Sequence, residues 1–381
     1  MKGIRPLEPR DIDGVASLYE YVLRSKSRSA PAHLAQYFKR IFLEHPWVDP
    51  EVPSLVSVDE TGQIVGFIGS HVRKMQFEGK PIRAGVCSQL IADPDVRSQA
   101  VGAFLMRKYM TGAQDISVME MCSDGMRLMW ENLGGHTMHL NSLNYTRFFR
   151  PARFAVNQVL NRGKLSALAP LMHGAAQIFD APAQRLKAFK VEDKGLGAND
   201  LTPETYLEHF PTVAGKRKLV PAYDLEFLKW QWFEMAQVAA KGTLFGSLVR
   251  DDAGKVIGWY LYQLKPGDKG HVIQVEAKRG FEAEALTALF SDAKHRGATL
   301  LHGRVEPNLH VPLVKENRCW LHSRYDRTLV YTKNTDLLNA YFTGDSMFTR
   351  MEGEFWMGFH LEPFTEEVQN PYALKHEAVA V

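Results

Sequence analysis

Cysteine is scarce in this chain of 381 residues, which contains only Cys87, Cys122 and Cys319. Three thiols so widely separated do not make a disulfide framework or a zinc knuckle, and their apolar neighbours indicate core positions. Two histidines, His136 and His139, are three positions apart, but the glycines before them predict a turn or strand that would point them to opposite faces. The sequence therefore predicts no metal site.

The chain also lacks a large excess of charge of either sign. Its 46 Lys and Arg residues nearly balance 43 Asp and Glu residues, which gives a net charge of +3. So small an excess over this length does not indicate a protein that binds a phosphate backbone, and zinc-finger and RNP signatures are missing. We therefore expect no nucleic-acid partner.

Long apolar runs are missing as well. The N-terminal residues are interrupted by charge at Lys2, Arg5, Glu8, Arg10, Asp11 and Asp13. This pattern does not predict a signal peptide, and the apolar run 165–179 is shorter than the ~20 residues that span a bilayer. The sequence predicts a soluble cytoplasmic protein without a transmembrane segment.

Common catalytic signatures are lacking too. The chain has no Gly-x-Ser-x-Gly elbow, no Walker motif, no His-Glu-x-x-His pair and no dinucleotide fingerprint with its downstream acid. These absences argue against a serine hydrolase, a P-loop nucleotidase, a zincin and a nicotinamide-dependent enzyme.

The most informative feature that is present is the stretch 92–103, which follows a strand-like run and opens a helix-like one. Small residues at 100, 102 and 103 let a ligand approach the backbone, and the first N–H groups of a helix attract an anion. The stretch predicts a pyrophosphate-binding turn. Its expected ligand contacts are Ile91, Ala92, Arg97, Ser98, Gln99, Ala100, Val101, Gly102 and Ala103.

The flanks of this turn predict an ordered series of elements. Alternating and helical periodicities give strands near 3–6, 54–58, 64–72, 82–91, 116–121 and 139–149, with helices near 11–22, 100–110 and 124–132. The run 74–77 leads through a turn at 78–81 into the strand at 82–91. The order is β-α-β-β-β-α-β-α-β. In this order, and in its Arg97, Gly102 and Ala103, the chain resembles the GNAT acetyltransferase superfamily, whose acyl-CoA turn follows Arg/Gln-x-x-Gly-x-Gly/Ala. Ala100 departs from that pattern by replacing its first glycine.

A second unit repeats the same order further along the chain. The turn at 251–258 repeats that at 59–66, and 272–277, 281–295, 299–305 and 320–331 repeat the elements that follow. We therefore predict an α+β protein with two GNAT-like domains, each a mixed, mainly antiparallel sheet flanked by helices. The predicted boundaries are 1–150 for the acyl-CoA-binding domain, 151–199 for a linker, 200–360 for a degenerate second domain and 361–381 for a tail.

The second unit lacks the spaced small residues of the first. Lys278 and Arg279 could meet a phosphate, but a solvated basic loop is the favoured interpretation, and the bulky Phe281 stands near the turn. We expect this unit to form one side of the cleft that binds the acceptor rather than to hold the cofactor.

The connection between the units is strongly basic. Residues 145–190 contain eight Lys and Arg residues and one acid, Asp180. Its short apolar run predicts an amphipathic helical linker whose charges lie in water, and a peripheral contact with an anionic membrane is the alternative.

The resemblance implies that an amine attacks the thioester directly, so an enzyme of this kind needs a base for the amine proton. Glu120 and Asp124, at the end of the fifth strand and just after it, are the candidate bases, with Glu276, His302 and Glu306 as possible contributions from the second unit. Trp130 occupies the position of the superfamily's usual tyrosine, which protonates the leaving thiolate.

The predicted function is transfer of an acyl group, acetyl being expected, from acyl-CoA to an amine on a small molecule or peptide. Acyl-CoA is the only cofactor expected. Two alternatives stay open: a Fem-like aminoacyl or peptidyl transferase that uses charged tRNA, and a non-catalytic acyl-CoA sensor or scaffold.

Overall fold

The fold was analysed in a computed structural model that describes residues 3–95, 100–160, 168–323 and 326–359. Within these ranges the strands are β1 (Gly3–Pro6), β2 (Leu55–Val58), β3 (Ile64–Phe77), β4 (Lys80–Ala92), β5 (Ile116–Cys122), β6 (His136–Thr137), β7 (Asn144–Phe148), β8 (Leu219–Pro221), β9 (Thr243–Arg250), β10 (Val256–Leu264), β11 (Lys269–Ala277), β12 (Leu300–Arg304), β13 (Trp320–His322) and β14 (Arg327–Tyr331).

The α-helices in the same ranges are α1 (Ile12–Leu23), α2 (Ala32–Phe42), α3 (Val101–Met110), α4 (Asp124–Asn132), α5 (Pro151–Leu160), α6 (Ala169–Ala183), α7 (Pro203–Ala214), α8 (Leu225–Ala236), α9 (Glu282–His295) and α10 (Thr335–Phe342). No helix of the described ranges combines the length and the apolar character that crossing a membrane requires.

Two mixed sheets organise these elements. The first has the strand order β1-β2-β3-β4-β5-β14-β6, with β8 paired to β3, and the second has the order β13-β7-β12-β11-β10-β9. Pairing is antiparallel except between β4 and β5 and between β11 and β12, which are parallel. The predicted α+β class, with two mainly antiparallel sheets flanked by helices, is confirmed.

The last strand of each unit is exchanged between the sheets. Asn144–Phe148 pairs with β12 and β13 of the second sheet, whereas Arg327–Tyr331 pairs with β5 and β6 of the first. The prediction that 139–149 closes the first unit and 320–331 the second is therefore wrong. The stretch 320–331 also forms two short strands, β13 and β14, instead of one. Local alternation shows that a strand exists but does not identify the strand that it pairs with.

The two sheets share one hydrophobic core. A single buried cluster joins Tyr19 and Phe38, from α1 and α2, to Trp230 and Trp259 of the second half and to Trp356 near the C-terminus. The units therefore fold against each other over a common apolar interior, and the linker joins two halves of one body.

An irregular segment, residues 347–359, passes through this interior and is called the C-terminal segment below. Nearly all of it is buried. Its end is held by α1 and α2, because the Tyr19 hydroxyl donates to the carbonyl of Phe359 and the amide of Gly358 donates to the Tyr37 hydroxyl.

Candidate active site

The pairing of β4 with β5 ends before either strand does, and we call the space between their unpaired carboxyl ends the cleft. The two strands pair in parallel from Ala84 and Ile116 to Cys87 and Met119, and this register ends there although both strands continue. Ligands of open sheets that contain parallel strands bind in such crevices at the carboxyl ends of the strands. The divergence of β4 and β5 therefore marks the candidate site.

A bulge in β4 borders the cleft. The register with β3 shifts so that Gln89 and Leu90 together stand opposite Ile68, and Gln89 has a φ of 51°. A bulge removes one residue from the ladder, and left-handed backbone at a residue other than glycine is uncommon and strained. The extra residue turns backbone polar groups away from β3 and makes them available to a ligand.

A matching irregularity lies on the opposite wall of the cleft. Met121 in β5 has a φ of 54°, and the pairing of β5 with β14 shifts between Arg327 and Leu329. Strained residues of this kind concentrate at functional sites, where the surrounding structure holds them in place. Strain on both walls of one cleft supports a functional interpretation of the cleft.

The predicted pyrophosphate turn leads from this cleft into α3. Ile91 and Ala92 end β4, whereas Arg97, Ser98 and Gln99 lie outside the described residues. Ala100 precedes α3 with a φ of 52° and gives it no side-chain cap, and a side chain added at Gly102 would enter open space. Val101 is buried, whereas Gly102 and Ala103 are half-buried, and the first N–H groups of this turn can receive an anion. Cofactor binding by this turn stays a prediction.

Glu120, the first candidate base, is buried and fully engaged. Its Oε1 accepts a hydrogen bond from the guanidinium of Arg304 on β12, and its Oε2 accepts one of 3.2 Å from the backbone amide of Glu354. The carboxylate therefore ties the first sheet to the second and to the C-terminal segment, which leaves it little capacity to accept a substrate proton.

Asp124, the second candidate, begins α4 at the surface. It accepts hydrogen bonds from Arg327 at 3.1 Å and from Arg127 at 3.3 Å, and these bonds hold the pKa of its carboxyl below the usual range. A lowered pKa makes a carboxylate a weaker base. Both candidates remain untested predictions, and the structure places them in ion pairs.

The C-terminal segment supplies another carboxylate, which the sequence analysis missed. Glu354 is partly exposed in the cleft, and its Oε2 accepts a hydrogen bond of 3.2 Å from the Nε2 of Gln89. Loss of hydration, and next the nearby charge of Glu120, raise the pKa of Glu354 to about 8. A carboxyl with this pKa holds its proton at neutral pH and becomes a base above about pH 8.

Gly353 places Glu354 there by a close approach of backbone and side chain. A Cβ on Gly353 would overlap the carboxylate of Glu120. Glycine therefore allows the segment to pass between Glu120 and Gln89. No periodic pattern marks 353–354 in the sequence, and a Gly-Glu pair ahead of two aromatic residues was its only signal.

The second sheet has a corresponding divergence, which the chain itself fills. β11 and β12 pair only from Lys269 and Leu300 to His271 and His302. Beyond that point, Gln274 donates to the Thr349 hydroxyl at 3.0 Å, and Arg304 donates to the carbonyl of Phe348 at 2.9 Å. The C-terminal segment thus lies where a ligand would enter the second unit.

The inner face of the second sheet carries a row of aromatic and imidazole rings. His302 stacks on His322 with ring centroids 5.4 Å apart, His271 lies between His302 and Phe355, and Trp320 is exposed beside His322. Burial lowers the pKa of His271 to about 3, so this imidazole is neutral at physiological pH. The row runs from Phe355, the neighbour of Glu354, to Trp320 at the protein surface.

The carboxylates expected from the second unit are also paired. Glu276 accepts a hydrogen bond of 2.8 Å from Arg217, and Glu306 accepts one of 2.8 Å from Arg304. Burial raises the pKa of both carboxyls. Arg304 and Glu306 form a buried ion pair.

Trp130 is a core residue. Its ring is fully buried, and its indole N–H donates to the carbonyl of Val330 on β14 at 3.1 Å. An indole held in this way cannot protonate a leaving thiolate.

Comparison of the sequence with models of protein families gives no match, and comparison with curated proteins gives none either. Solved structures do resemble the fold. A GCN5-related N-acetyltransferase from Anabaena variabilis ATCC 29413 is 12% identical with a TM-score of 0.53, covering 87% of this chain and 73% of its own. A conserved protein from Enterococcus faecalis V583 is 10% identical with a TM-score of 0.51, covering 86% of this chain and 72% of its own. The two sheets and these likenesses show that the chain has the GNAT, or acyl-CoA N-acyltransferase, fold.

Proposed function

We propose that this protein transfers an acyl group from acyl-CoA to an amine, with Glu354 as the base. The observation that carries the proposal is the carboxyl of Glu354 between the diverging ends of β4 and β5, hydrogen-bonded to Gln89. The GNAT fold and the first turn of α3 support acyl-CoA as the donor, and acetyl is the acyl group that we propose.

The donor would lie along β4 with its pyrophosphate at the start of α3. The first N–H groups of α3 would receive the phosphate oxygens, and the open space around Gly102 leaves room for them. The thioester would then reach the β4 bulge at Gln89, where backbone released from the ladder can donate to the carbonyl oxygen.

The chemical step is a direct attack. The amine nitrogen bonds to the thioester carbon, the C–S bond breaks, and the electron pair leaves with the CoA sulfur as a thiolate. Glu354 takes the proton that the amine loses, and solvent protonates the thiolate, because the hydroxyl usual in the superfamily is replaced by the buried indole of Trp130.

The acceptor would approach along the second sheet. His271 contacts Phe355, the neighbour of Glu354, and the ring row continues through His302 and His322 to exposed Trp320. Imidazoles and an indole provide hydrogen bonds and stacking surfaces for a polar amine-bearing molecule or peptide.

A non-catalytic acyl-CoA sensor is the second candidate. Ala100 in left-handed backbone narrows the turn where the superfamily has glycine, and Trp130 offers no proton. The two candidates differ in turnover, since a sensor binds acyl-CoA without releasing free CoA in the presence of an amine.

The first test is calorimetric titration with acetyl-CoA, a longer acyl-CoA and free CoA. Gly102→Glu should abolish binding, because it places bulk and negative charge where the pyrophosphate docks. Gly125→Glu is the matched control, since Gly125 is also the second residue of a helix and also has open surroundings. If folded Gly102→Glu binds acyl-CoA as tightly as the wild type, the proposed donor site is refuted. If the wild type binds none of the three ligands, a tRNA-linked donor is favoured. If acyl-CoA binds, CoA release in an amine panel then identifies an enzyme.

A further inference from the structure

The helical hairpin of α5 and α6 holds one face of α6 firmly against the protein. The Asp180 carboxylate accepts hydrogen bonds from the amides of Ala152 at 2.8 Å and Arg153 at 3.1 Å, which caps α5. Asn157 on α5 bonds to His173 at 3.0 Å and to the carbonyl of Gly267 at 2.8 Å. The polar face of α6 is therefore the attached one.

The opposite face of α6 is apolar and points into solvent. Leu171 and Ile178 are each 74% exposed, Phe179 is 69% exposed, and Leu168 just before the helix is also exposed. At 100° per residue these side chains fall within about 100° of one another. We call Leu168, Leu171, Ile178 and Phe179 the apolar stripe. A surface helix of a globular domain normally has the reverse orientation, with its apolar stripe toward the core.

Positive charge surrounds the apolar stripe. Arg185, Lys187 and Lys190 follow the helix and are exposed, and Leu186 between them is exposed too. The one acid in the stretch 168–190 is Asp180, which is buried and occupied by the α5 amides. The exposed charges from the apolar stripe to Lys190 are therefore positive, and the exposed acids Glu192 and Asp193 follow beyond them.

A cavity of about 590 Å³ lies behind the stripe, between α6 and the loops at Pro266 and Gly297. Arg150 and Arg153 line it, and the Nε of Arg153 has no hydrogen-bond partner among the described residues. An arginine with unused donors suits an anionic group at this position.

We propose that the apolar stripe and its basic flank dock on an anionic lipid bilayer. The fifteen residues of α6 span about 22 Å, so the helix would lie in the plane of the interface with the apolar stripe among the acyl chains. Arg185, Lys187 and Lys190 would meet the anionic headgroups. The exposed Arg185, Lys187 and Lys190 next to the apolar stripe favour an anionic lipid surface over a protein groove, and this docking is independent of Glu354 and of acyl transfer.

The test is co-sedimentation of the full chain with vesicles of phosphatidylcholine alone and with phosphatidylserine added. Binding should require the anionic lipid and weaken as salt is raised, and Arg185→Gln/Lys187→Gln should weaken it further. Ile178→Gln/Phe179→Gln should lower the partition coefficient about tenfold or more. Leu128→Gln on α4 is the control, because Leu128 is 52% exposed outside the apolar stripe. Circular dichroism and thermal melting check that each variant is folded.

Three results would overturn the proposal. The first is no sedimentation with either vesicle, and the second is equal sedimentation of the wild type and Ile178→Gln/Phe179→Gln. The third is a dimer in light scattering that dissociates in Ile178→Gln/Phe179→Gln, which would show that a second copy covers the apolar stripe.

Discussion

The side-chain amide of Gln89 donates a hydrogen bond of 3.2 Å to the Oε2 of Glu354, a residue 265 positions further along the chain. Gln89 lies in the bulge of β4, and Glu354 belongs to the irregular C-terminal segment. The strained backbone of the cleft and the carboxyl with the raised pKa therefore lie side by side. Glu120 completes the arrangement by accepting from the amide of Glu354.

The pH dependence of acyl transfer tests the role of Glu354. Burial raises its pKa to about 8, so the carboxyl is protonated below that pH and becomes a base above it. We expect kcat/KM to rise with pH and to level off above about pH 8. Glu354→Gln should lower kcat about 10²- to 10⁴-fold and remove this pH dependence, because the amide cannot take a proton.

Release of free CoA, followed across pH 6 to 10 at about saturating acyl-CoA, measures this effect. Acyl-CoA affinity of Glu354→Gln should equal that of the wild type, which separates loss of the base from loss of the donor site. An unchanged pH profile in Glu354→Gln would assign the proton to another group.

Gly353→Ala tests the close approach that positions Glu354. The added methyl group overlaps the Glu120 carboxylate, which Arg304 prevents from moving aside. We expect a loss of about 1–3 kcal/mol in unfolding free energy and a lower kcat, because the segment must shift. Urea denaturation measures the first effect. Gly174→Ala on α6 is the control: its Cβ meets open space, so it should stabilise by about 0.5–1 kcal/mol.

Most of the order of local elements could be predicted from the sequence, although α2 was missed, and long-range pairing could not be predicted. Periodicity placed α1 and α3 because each buries one repeating face, whereas β5 is a short apolar run that is buried on both faces. The exchange of β7 and β14 could not be predicted from the sequence, because the local pattern of either strand is compatible with pairing to either sheet. Glu354 was missed for a related reason. Its position depends on contacts with Gln89 and Glu120, and an irregular segment has no sequence periodicity from which such contacts can be predicted.

Ala100→Gly tests the strain before α3. Left-handed backbone costs a residue with a Cβ about 1 kcal/mol, so glycine should be neutral or stabilise by up to about 1 kcal/mol despite its greater freedom in the unfolded chain. Ala103→Gly, inside the first turn of α3, should instead destabilise by about 0.5–1 kcal/mol. Opposite signs in urea denaturation support the left-handed conformation, and equal losses would contradict it.

The strand exchange predicts that the two units cannot fold apart. A chain cut between residues 150 and 151 leaves β5 without β14 and leaves β7 without β12 and β13. Both fragments then expose open sheet edges and part of the shared core, so each alone should aggregate or remain unfolded. Co-expressed, they should assemble and co-purify, because each strand can still reach its partner sheet.

Calorimetry of the intact chain should accordingly show one unfolding transition for both sheets, because β7, β14 and the C-terminal segment bind the sheets to each other. Two separate transitions, or a cooperative melt of fragment 1–150 alone, would contradict the exchange. In that case the first sheet would close without Arg327–Tyr331, and the cleft between β4 and β5 would form without the second unit. A single transition makes the second sheet a structural requirement of the site, because it supplies Arg304 to Glu120 and thereby holds the segment that carries Glu354.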